Sequence, residues 1–238
     1  MDLKEQEILG EAIADHWYYR AKFAALRRAL QGWPPGRLID VGAGSGFFTR
    51  RLIEAGGVTD AICVDPGYAE ESDEVHAGTP LAFRRGLDGL PPGDTMLAMD
   101  VLEHVEDDVG LLAAYLPHLR PGARLVITVP AFRSLWSGHD VFLGHVRRYR
   151  LHEAEETARK AGFRVLRGHY FYGAIFPLVA AMRLAQGRVA PDAPPRSQLQ
   201  RHGRLVNELL HAACMAELPF TRANRLAGLT ALVVAERP

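Results

Sequence analysis

Residues 37–46 read Arg-Leu-Ile-Asp-Val-Gly-Ala-Gly-Ser-Gly, a short apolar run followed by three glycines at alternate positions. The apolar run predicts a buried strand, and the segment 47–55 after it has the pattern of a helix that ends at Gly56 and Gly57. Glycine lets the backbone turn sharply and approach a ligand, and free N–H groups at a helix start favour an anionic group. The stretch therefore predicts a ligand-binding strand–turn–helix unit.

Strand-like and helix-like segments alternate onward from this unit to residue 167. Further strands are expected at 61–64, 81–84, 95–99, 124–129, 163–166 and 229–235, and helices at 107–119 and 153–161. The run 124–129 is almost continuously apolar and β-branched, as in strands that are buried on both faces of a parallel sheet. This alternation predicts an α/β fold, namely a Rossmann-like, doubly wound and mostly parallel sheet of seven strands.

Composition narrows the class of protein. The 28 basic and 28 acidic residues balance, which disfavours a nucleic-acid partner. Cys63 and Cys214 are too few and too far apart for a disulfide framework or a zinc site, so we expect a cytoplasmic protein without a metal. The first residues lack the pattern of a signal peptide, and the longest uncharged run, 170–182, is too short to span a bilayer.

Two acidic residues decide which ligand the glycine-rich turn accepts. Asp40 comes just before the glycines, and Asp65 ends the second strand about 20 residues later. A carboxylate at Asp40 would repel a pyrophosphate but could accept hydrogen bonds from an ammonium group, and Asp65 could bind ribose hydroxyls. Phe47 stands where a dinucleotide-binding fingerprint needs a small residue, which disfavours a nicotinamide cofactor. In the alternative interpretation, Asp40 only caps the helix and Asp65 only starts a turn.

Four segments together resemble class I S-adenosylmethionine-dependent methyltransferases. They are 40–46, 63–65, Met-Asp-Val-Leu-Glu-His-Val at 99–105, and Leu-Arg-Pro-Gly at 119–122. Weaker similarities at 16–20, 129–131, 135–137, 144–149 and 218–220 extend the resemblance over nearly the whole chain. The chain is most similar to the type-11/type-23 group, which is related to the quinone-biosynthesis methyltransferases.

The resemblance implies S-adenosyl-L-methionine as the cofactor and assigns residues to it. The methionine part would be held by Asp40, Gly42, Gly44 and Gly46, the ribose would be bound by Asp65, and the turn with Leu87 and Asp88 would lie beside the adenine. Further cofactor-binding residues would be Ala43, Pro66, Asp100 and Val101. Trp17 and Arg20 would lie on a helix that folds over the cofactor, although an ordinary amphipathic helix explains their pattern as well.

The same resemblance divides one methyltransferase domain, 1–238, into four parts. Residues 4–31 carry apolar side chains at helical spacing, and prolines interrupt the apolar runs between 170 and 225. The expected parts are an N-terminal helical lid 1–36, a cofactor-binding core 37–168, a helical insertion 169–226 and a last strand 227–238.

The acceptor of the methyl group is expected beyond the carboxyl ends of the fourth and fifth strands. Transfer from a sulfonium requires an in-line nucleophile, and a base assists when the acceptor is a hydroxyl or a protonated amine. In the polar loop 134–149, His139 and His145 are the candidate bases, and a structural hydrogen bond is the alternative for each. Candidate substrate-binding residues are Glu103, His104, Trp136, Asp140, Arg147, Arg148 and Tyr149, which could equally form caps and ion pairs.

The sequence thus predicts methyl transfer to a small-molecule or lipid- or sugar-linked acceptor. A non-catalytic S-adenosylmethionine-binding protein and, less favoured, a nicotinamide-dependent oxidoreductase are the alternatives. The Asn-Pro-Pro-aromatic motif of enzymes that methylate exocyclic amines of nucleic acids is absent, since Asp-Val-Leu-Glu stands at 100–103. The apolar segment 170–184 could line an acceptor pocket or touch a membrane surface, or it could be ordinary core.

Overall fold

One sheet of eight strands forms the centre of the computed structural model, which describes residues 10–185 and 203–238. Its strand order is β3-β4-β2-β1-β5-β6-β8-β7. The strands are β1 Gly36–Val41, β2 Val58–Val64, β3 Ser72–His76, β4 Thr79–Arg84, β5 Gly93–Met99, β6 Leu119–Pro130, β7 Arg164–Phe171 and β8 Thr230–Glu236.

The mostly parallel, doubly wound topology predicted from the alternation is confirmed. β1 pairs in parallel with β2 and β5, and parallel pairing continues outward to β4 and β6. β8 runs antiparallel between β6 and β7. Successive strands are therefore added first on one side of β1, beginning with β2, and then on the other side, beginning with β5. The carboxyl end of β1 is the switch point where such sheets bind ligands.

The sheet has one strand more than the seven predicted. The additional strand, β3, pairs antiparallel with β4 at the edge of the sheet. Its sequence, Ser-Asp-Glu-Val-His, is polar apart from Val75, and all but its last residue are exposed. A strand that buries neither face carries no apolar alternation, so the sequence pattern could not reveal it.

Seven α-helices surround the sheet in the described ranges. They are α1 Trp17–Ala29, α2 Phe47–Ala55, α3 Asp108–Tyr115, α4 Gly138–Leu143, α5 Leu151–Lys160, α6 Phe176–Ala185 and α7 Arg204–Glu217. Short 3-10 helices occur at Gly10–Ala14, Leu102–His104, Leu116–His118, Arg133–Leu135 and Leu218–Ala223.

The N-terminal and C-terminal helical segments differ in their limits from the sequence prediction. α1 begins only at Trp17, because the His16 ring accepts a hydrogen bond from the Tyr18 N–H (3.3 Å) and caps the helix. β7 runs to Phe171, five residues beyond the predicted end, since its pairing with β8 continues that far. The prolines at 191, 194 and 195 lie outside the described residues.

Alternate residues of the central strands pack into two separate apolar layers. Leu38 of β1 faces the layer formed with α1, α2 and α7, whereas Ile39 faces the layer formed with α3 and α5. Both residues are fully buried. Because both faces of the sheet are covered, the open functional surface lies at the carboxyl edge of the strands.

Candidate active site

The glycine-rich turn leaves the carboxyl end of β1 in a left-handed backbone path. Gly42, Gly44 and Gly46 have φ angles of 59°, 53° and 71°. A Cβ at Gly42 would lie 2.7 Å from a methyl group of Val101, so this glycine lets the turn pack against the end of β5. Ala43, between them, is buried. Packing as well as ligand approach therefore explains the first glycine.

Asp40 lies beneath this turn with 2% of its surface exposed. Its Oδ2 accepts a hydrogen bond from the hydroxyl of Thr49 on α2 at 2.7 Å. Burial raises the pKa of Asp40 to about 6. The carboxylate therefore changes charge within the physiological pH range, and it retains acceptor positions that Thr49 does not use.

Asp65 ties the end of β2 to the glycine-rich turn. One carboxylate oxygen accepts from the Gly44 N–H at 3.0 Å, and the other accepts from the Gly67 N–H at 2.8 Å. Pro66, next to it, is exposed. The hydroxyl of Tyr68 donates to the Gly44 carbonyl at 2.7 Å, so the turn is held from both sides.

Leu87 and Asp88, expected beside an adenine, lie in the β4–β5 loop. Leu87 packs against the apolar layer of α3 and α5. Asp88 is exposed and lines a groove of about 530 Å³ together with residues of β2, β3 and β4. None of the residues that line this groove belongs to the glycine-rich turn.

A lysine that the sequence analysis did not select pairs with Asp100. The Lys22 ammonium, on α1, forms a salt bridge with Oδ2 of Asp100 and donates to the Tyr18 hydroxyl at 2.6 Å. The other oxygen of Asp100 accepts from the Thr128 hydroxyl at 3.0 Å. Asp100 itself has a positive φ of 56°, a strained conformation for this residue.

The Arg20 side chain is directed toward α7, where it forms an ion pair with Glu208 at 2.5 Å. The backbone N–H of Trp17 donates to the Asn207 side chain of the same helix at 2.8 Å. The Trp17 ring meets Tyr172 edge to face. In this structure α1 reaches the cofactor edge through Lys22 instead.

Glu103, His104 and His145 form a compact cluster beyond β5 and β6. One potential ligand atom from each residue lies within 4.8 Å of the others. The rings of the two histidines are perpendicular, with centroids 4.7 Å apart. The Val146 N–H donates to the Glu103 carbonyl at 2.7 Å, which joins the loops that follow the two strands.

Asp140 organises the loop after β6. It is fully buried and accepts hydrogen bonds from the Ser137 N–H (2.8 Å), His145 Nδ1 (2.9 Å) and the Arg148 guanidinium (2.6 Å). Burial alone would raise the pKa of Asp140, but His145 and Arg148 hold it well below its usual range. Arg148 also donates to the Ala131 carbonyl at 3.0 Å.

The remaining residues of this loop are mostly engaged in contacts within the protein. Arg147 donates to the Glu106 carbonyl at 2.7 Å, and Tyr149 donates to Asp108 at 2.7 Å. Trp136 and His139 are half-buried, the latter in the first turn of α4. The structure thus brings His145, Glu103 and His104 together, whereas Arg147, Arg148 and Tyr149 hold the loop in place.

Sequence reasoning missed Lys22 and Tyr68. Lys22 follows Tyr19 by three residues and precedes Leu26 by four, so it falls within the apolar stripe of α1. A cationic side chain among the apolar positions of a predicted helix could have identified Lys22 from the sequence. Tyr68 follows the Asp-Pro-Gly turn without any pattern of its own, and only the fold shows its contact with Gly44.

Strand order, the glycine-rich turn at the switch point and the acidic residues at the strand ends define a Rossmann-like cofactor-binding domain. The profile of a family described as a methyltransferase domain matches residues 14–167. The chain belongs to this family, whose fold and cofactor are those of class I S-adenosylmethionine-dependent methyltransferases. The resemblance seen in the sequence is thereby confirmed, and the nicotinamide alternative is disfavoured.

The curated relatives each match about half of the chain or less. An uncharacterized methyltransferase of Mycobacterium ulcerans is 32% identical over 113 residues, which cover 45% of this chain and 44% of the relative. A ubiquinone biosynthesis O-methyltransferase of Xanthomonas euvesicatoria is 27% identical, with coverage of 46% and 48%. The chain matches somewhat less than half the length of these relatives.

Among solved structures, phosphoethanolamine N-methyltransferase 2 of Haemonchus contortus in complex with S-adenosyl-L-methionine shares the fold. The TM-score is 0.56 at 17% identity, over 98% of this chain and 56% of the other. At this identity the likeness concerns the fold alone. The acidic residues at the switch point nevertheless fit the cofactor: Asp40 offers acceptors for an ammonium group, and Asp65 offers them for hydroxyls.

Proposed function

We propose that this protein transfers a methyl group from S-adenosyl-L-methionine to a hydroxyl or amine of a small-molecule or lipid- or sugar-linked acceptor. The acceptor lies against the loop 134–149, with the glycine-rich turn on its other side. The observation that carries the proposal is the pair of Asp140 and His145, which meet at 2.9 Å beside Glu103 and His104.

A carboxylate that holds one nitrogen of an imidazole fixes its tautomer and leaves the other nitrogen to accept a proton. Asp140 does this for His145, whose side chain is 6% exposed. Arg148 pairs with the same carboxylate, which keeps Asp140 ionised. His139 is the second candidate base, and its neighbour Asp140 is directed to His145 and Arg148.

The cofactor would be held by this chain's acidic strand ends and its turn. Asp40 and the glycine-rich turn would bind the methionine part, and Asp65 would bind the ribose, releasing or sharing the Gly44 N–H. The bound cofactor supplies an electrophilic methyl group. The protein's own task is to orient the acceptor in line with it and to accept a proton.

An acceptor that carries a lipid is supported by apolar side chains on the helical insertion. Exposed large apolar residues in the described part of this region are Leu178, Met182, Leu184, Leu205, Val206, Leu209, Phe220 and Leu226. None of the described helices has the length and apolarity to cross a bilayer. Such a surface suits an amphipathic acceptor presented at an interface.

The test is release of S-adenosylhomocysteine with a panel of acceptors. Phenols, sugar hydroxyls and primary amines are each offered in a water-soluble form and in a form carrying an acyl chain. Release that depends on one acceptor class supports the proposal, and a preference for the acylated form supports the lipid-linked acceptor. Tight cofactor binding without release on any member of the panel would favour the non-catalytic alternative.

A further inference from the structure

The cluster of Glu103, His104 and His145 has the composition of a metal site. Two imidazoles and one carboxylate are a common ligand set for divalent transition ions. Their ligand atoms lie within 4.8 Å of one another, and those of a tetrahedral zinc site lie about 3.3 Å apart. Side-chain rotations that bring these ligand atoms closer by about 1.5 Å or less would therefore give the distances of a zinc site.

Glu103 provides an independent observation that a ligand is needed here. The residue is 1% exposed, and its Oε2 atom has no hydrogen-bond partner. An unpartnered carboxylate oxygen in a buried position is costly. The Lys22 ammonium forms its salt bridge with the neighbouring Asp100 and not with Glu103. A bound cation would give the buried Oε2 atom a partner.

The surroundings of His145 also match those of a metal ligand. Metal-bound histidines usually donate their other ring N–H to a carboxylate, which orients the ring and strengthens the ligand. Nδ1 of His145 contacts Asp140 at 2.9 Å, so Nε2 is the nitrogen directed away from this contact. Arg148 and Ser137 fix Asp140 in turn. The hydrogen bonds that would orient His145 as a metal ligand are therefore present.

We propose that Glu103, His104 and His145 bind one divalent transition-metal ion of the zinc class, with coordination positions left open toward the acceptor. Three protein ligands are typical of zinc sites that also hold water or substrate, whereas magnesium prefers oxygen ligands alone. The cysteine count led us to expect no metal. The proposed ligands include no cysteine, and Glu103 and His145 are 42 positions apart in the sequence, so only the fold brings them together.

The inference goes beyond the proposed methyl transfer and is tested by binding rather than by turnover. Coordination and proton acceptance would use the same nitrogen of His145. In the metal-loaded protein the ion itself would lower the pKa of a bound acceptor hydroxyl. Failure of metal binding would leave the base role of His145 standing, and failure of methyl transfer would leave the metal site standing.

The experiment titrates untagged, chelator-treated protein with Co²⁺ and Zn²⁺, using calorimetry and the visible absorption of Co²⁺. We expect one equivalent to bind, with the intense absorption of a tetrahedral or five-coordinate site. Glu103→Gln and His145→Ala should each weaken binding by about a hundredfold or more, since changes even in the outer shell of such sites cost about 10–100-fold. His152→Ala, which removes an exposed imidazole on α5, should bind as the parent does.

Thermal unfolding of each metal-free variant separates lost ligands from lost fold, and Glu103→Gln keeps the shape of the side chain. The proposal is overturned if the parent binds no Co²⁺ or Zn²⁺, or if both variants bind with parental affinity. It is also overturned if Mg²⁺ competes as well as Zn²⁺, or if a primary amine such as ethanolamine binds at the cluster in place of the metals. Either result would identify a different kind of cation site.

Discussion

The ammonium group of Lys22 forms a salt bridge with the carboxylate of Asp100, across the boundary between helix α1 and the carboxyl end of β5. Lys22 is 1% exposed and Asp100 is 26% exposed. Burial acts to lower the pKa of Lys22, but the adjacent carboxylate outweighs it and holds the pKa above its ordinary value. This pair fastens α1 to the cofactor-binding edge of the sheet.

Lys22→Met should destabilise the protein by about 3 kcal/mol, because it leaves the Asp100 carboxylate without its cationic partner at a mostly buried site. Chemical denaturation measures the loss. Arg27→Met, which removes an exposed cation from the same helix, is the control and should change stability little. The double variant Lys22→Met with Asp100→Asn should regain part of the loss. If Lys22→Met and Arg27→Met changed the free energy of unfolding equally, the result would contradict a structural role for the pair of Lys22 and Asp100.

Asp65→Ala should weaken S-adenosylmethionine binding by about 1.5–3 kcal/mol, or about tenfold to 150-fold in Kd. The reason is the loss of acceptors for ribose hydroxyls and of the bond that holds the Gly44 N–H. Calorimetry measures the affinity. Asp88→Ala is the matched carboxylate removal, and its position in a groove apart from the turn predicts a smaller effect. A larger effect at Asp88 would indicate that Asp65 does not bind the ribose.

Gly44→Val should abolish cofactor binding. The residue has a φ of 53°, which a β-branched side chain rarely adopts, and the new methyl groups would occupy the space that a ligand needs. Gly78→Val is the control for strain, because Gly78 also has a positive φ (82°), lies in the β3–β4 hairpin and has open space around its Cβ. A folded Gly44→Val protein that binds the cofactor normally would show that the turn is not its cradle.

The sequence predicted the parallel core well because strands buried on both faces carry long apolar runs. β6 shows this pattern, whereas the exposed edge strand β3 does not. Residues near the switch point could be predicted because they follow strands in the sequence. Their partners could not be predicted. Lys22 and Asp100 are 78 positions apart, and Asp140 contacts His145 and Arg148 because of the conformation of one loop. Such pairings depend on the three-dimensional arrangement and have no period in the sequence.

Asp40 should make both stability and cofactor affinity depend on pH. Its folded pKa of about 6 lies above the ordinary 3.8, so the ionised form destabilises the fold, by at most about 3 kcal/mol. This penalty is complete above the folded pKa and disappears as the pH falls to the unfolded pKa. Asp40→Asn should therefore stabilise the cofactor-free protein at about pH 8 but not at about pH 4. Urea denaturation at both values measures the difference.

Ionisation of Asp40, which destabilises the cofactor-free fold, should strengthen cofactor binding. Ionised Asp40 accepts hydrogen bonds from an ammonium group, so the affinity of the parent should fall as the pH drops below about 6. Asp40→Asn should bind more weakly at neutral pH and lose this dependence. Glu156→Gln, which neutralises an exposed carboxylate on α5, serves as the control. If Asp40→Asn binds as the parent does at every pH, the methionine part contacts other residues.

The last prediction concerns the base for methyl transfer. His145→Ala should lower turnover by about 10²–10⁴-fold, the usual cost of losing a general base, while cofactor affinity stays close to that of the parent. His139→Ala is the matched variant in the same loop, and we expect a smaller loss because Asp140 holds His145. Melting temperature, cofactor affinity and turnover are measured for both, with and without a chelator.

The chelator separates the two roles that His145 could have. If the imidazole is the base, chelation should leave parental turnover unchanged, and His145→Ala should be slow under both conditions. If a bound ion activates the acceptor, chelation alone should slow the parent to the level of His145→Ala. Turnover at the parental rate in both histidine variants would show that neither imidazole accepts the proton. Methyl transfer would then depend on orientation of the acceptor alone.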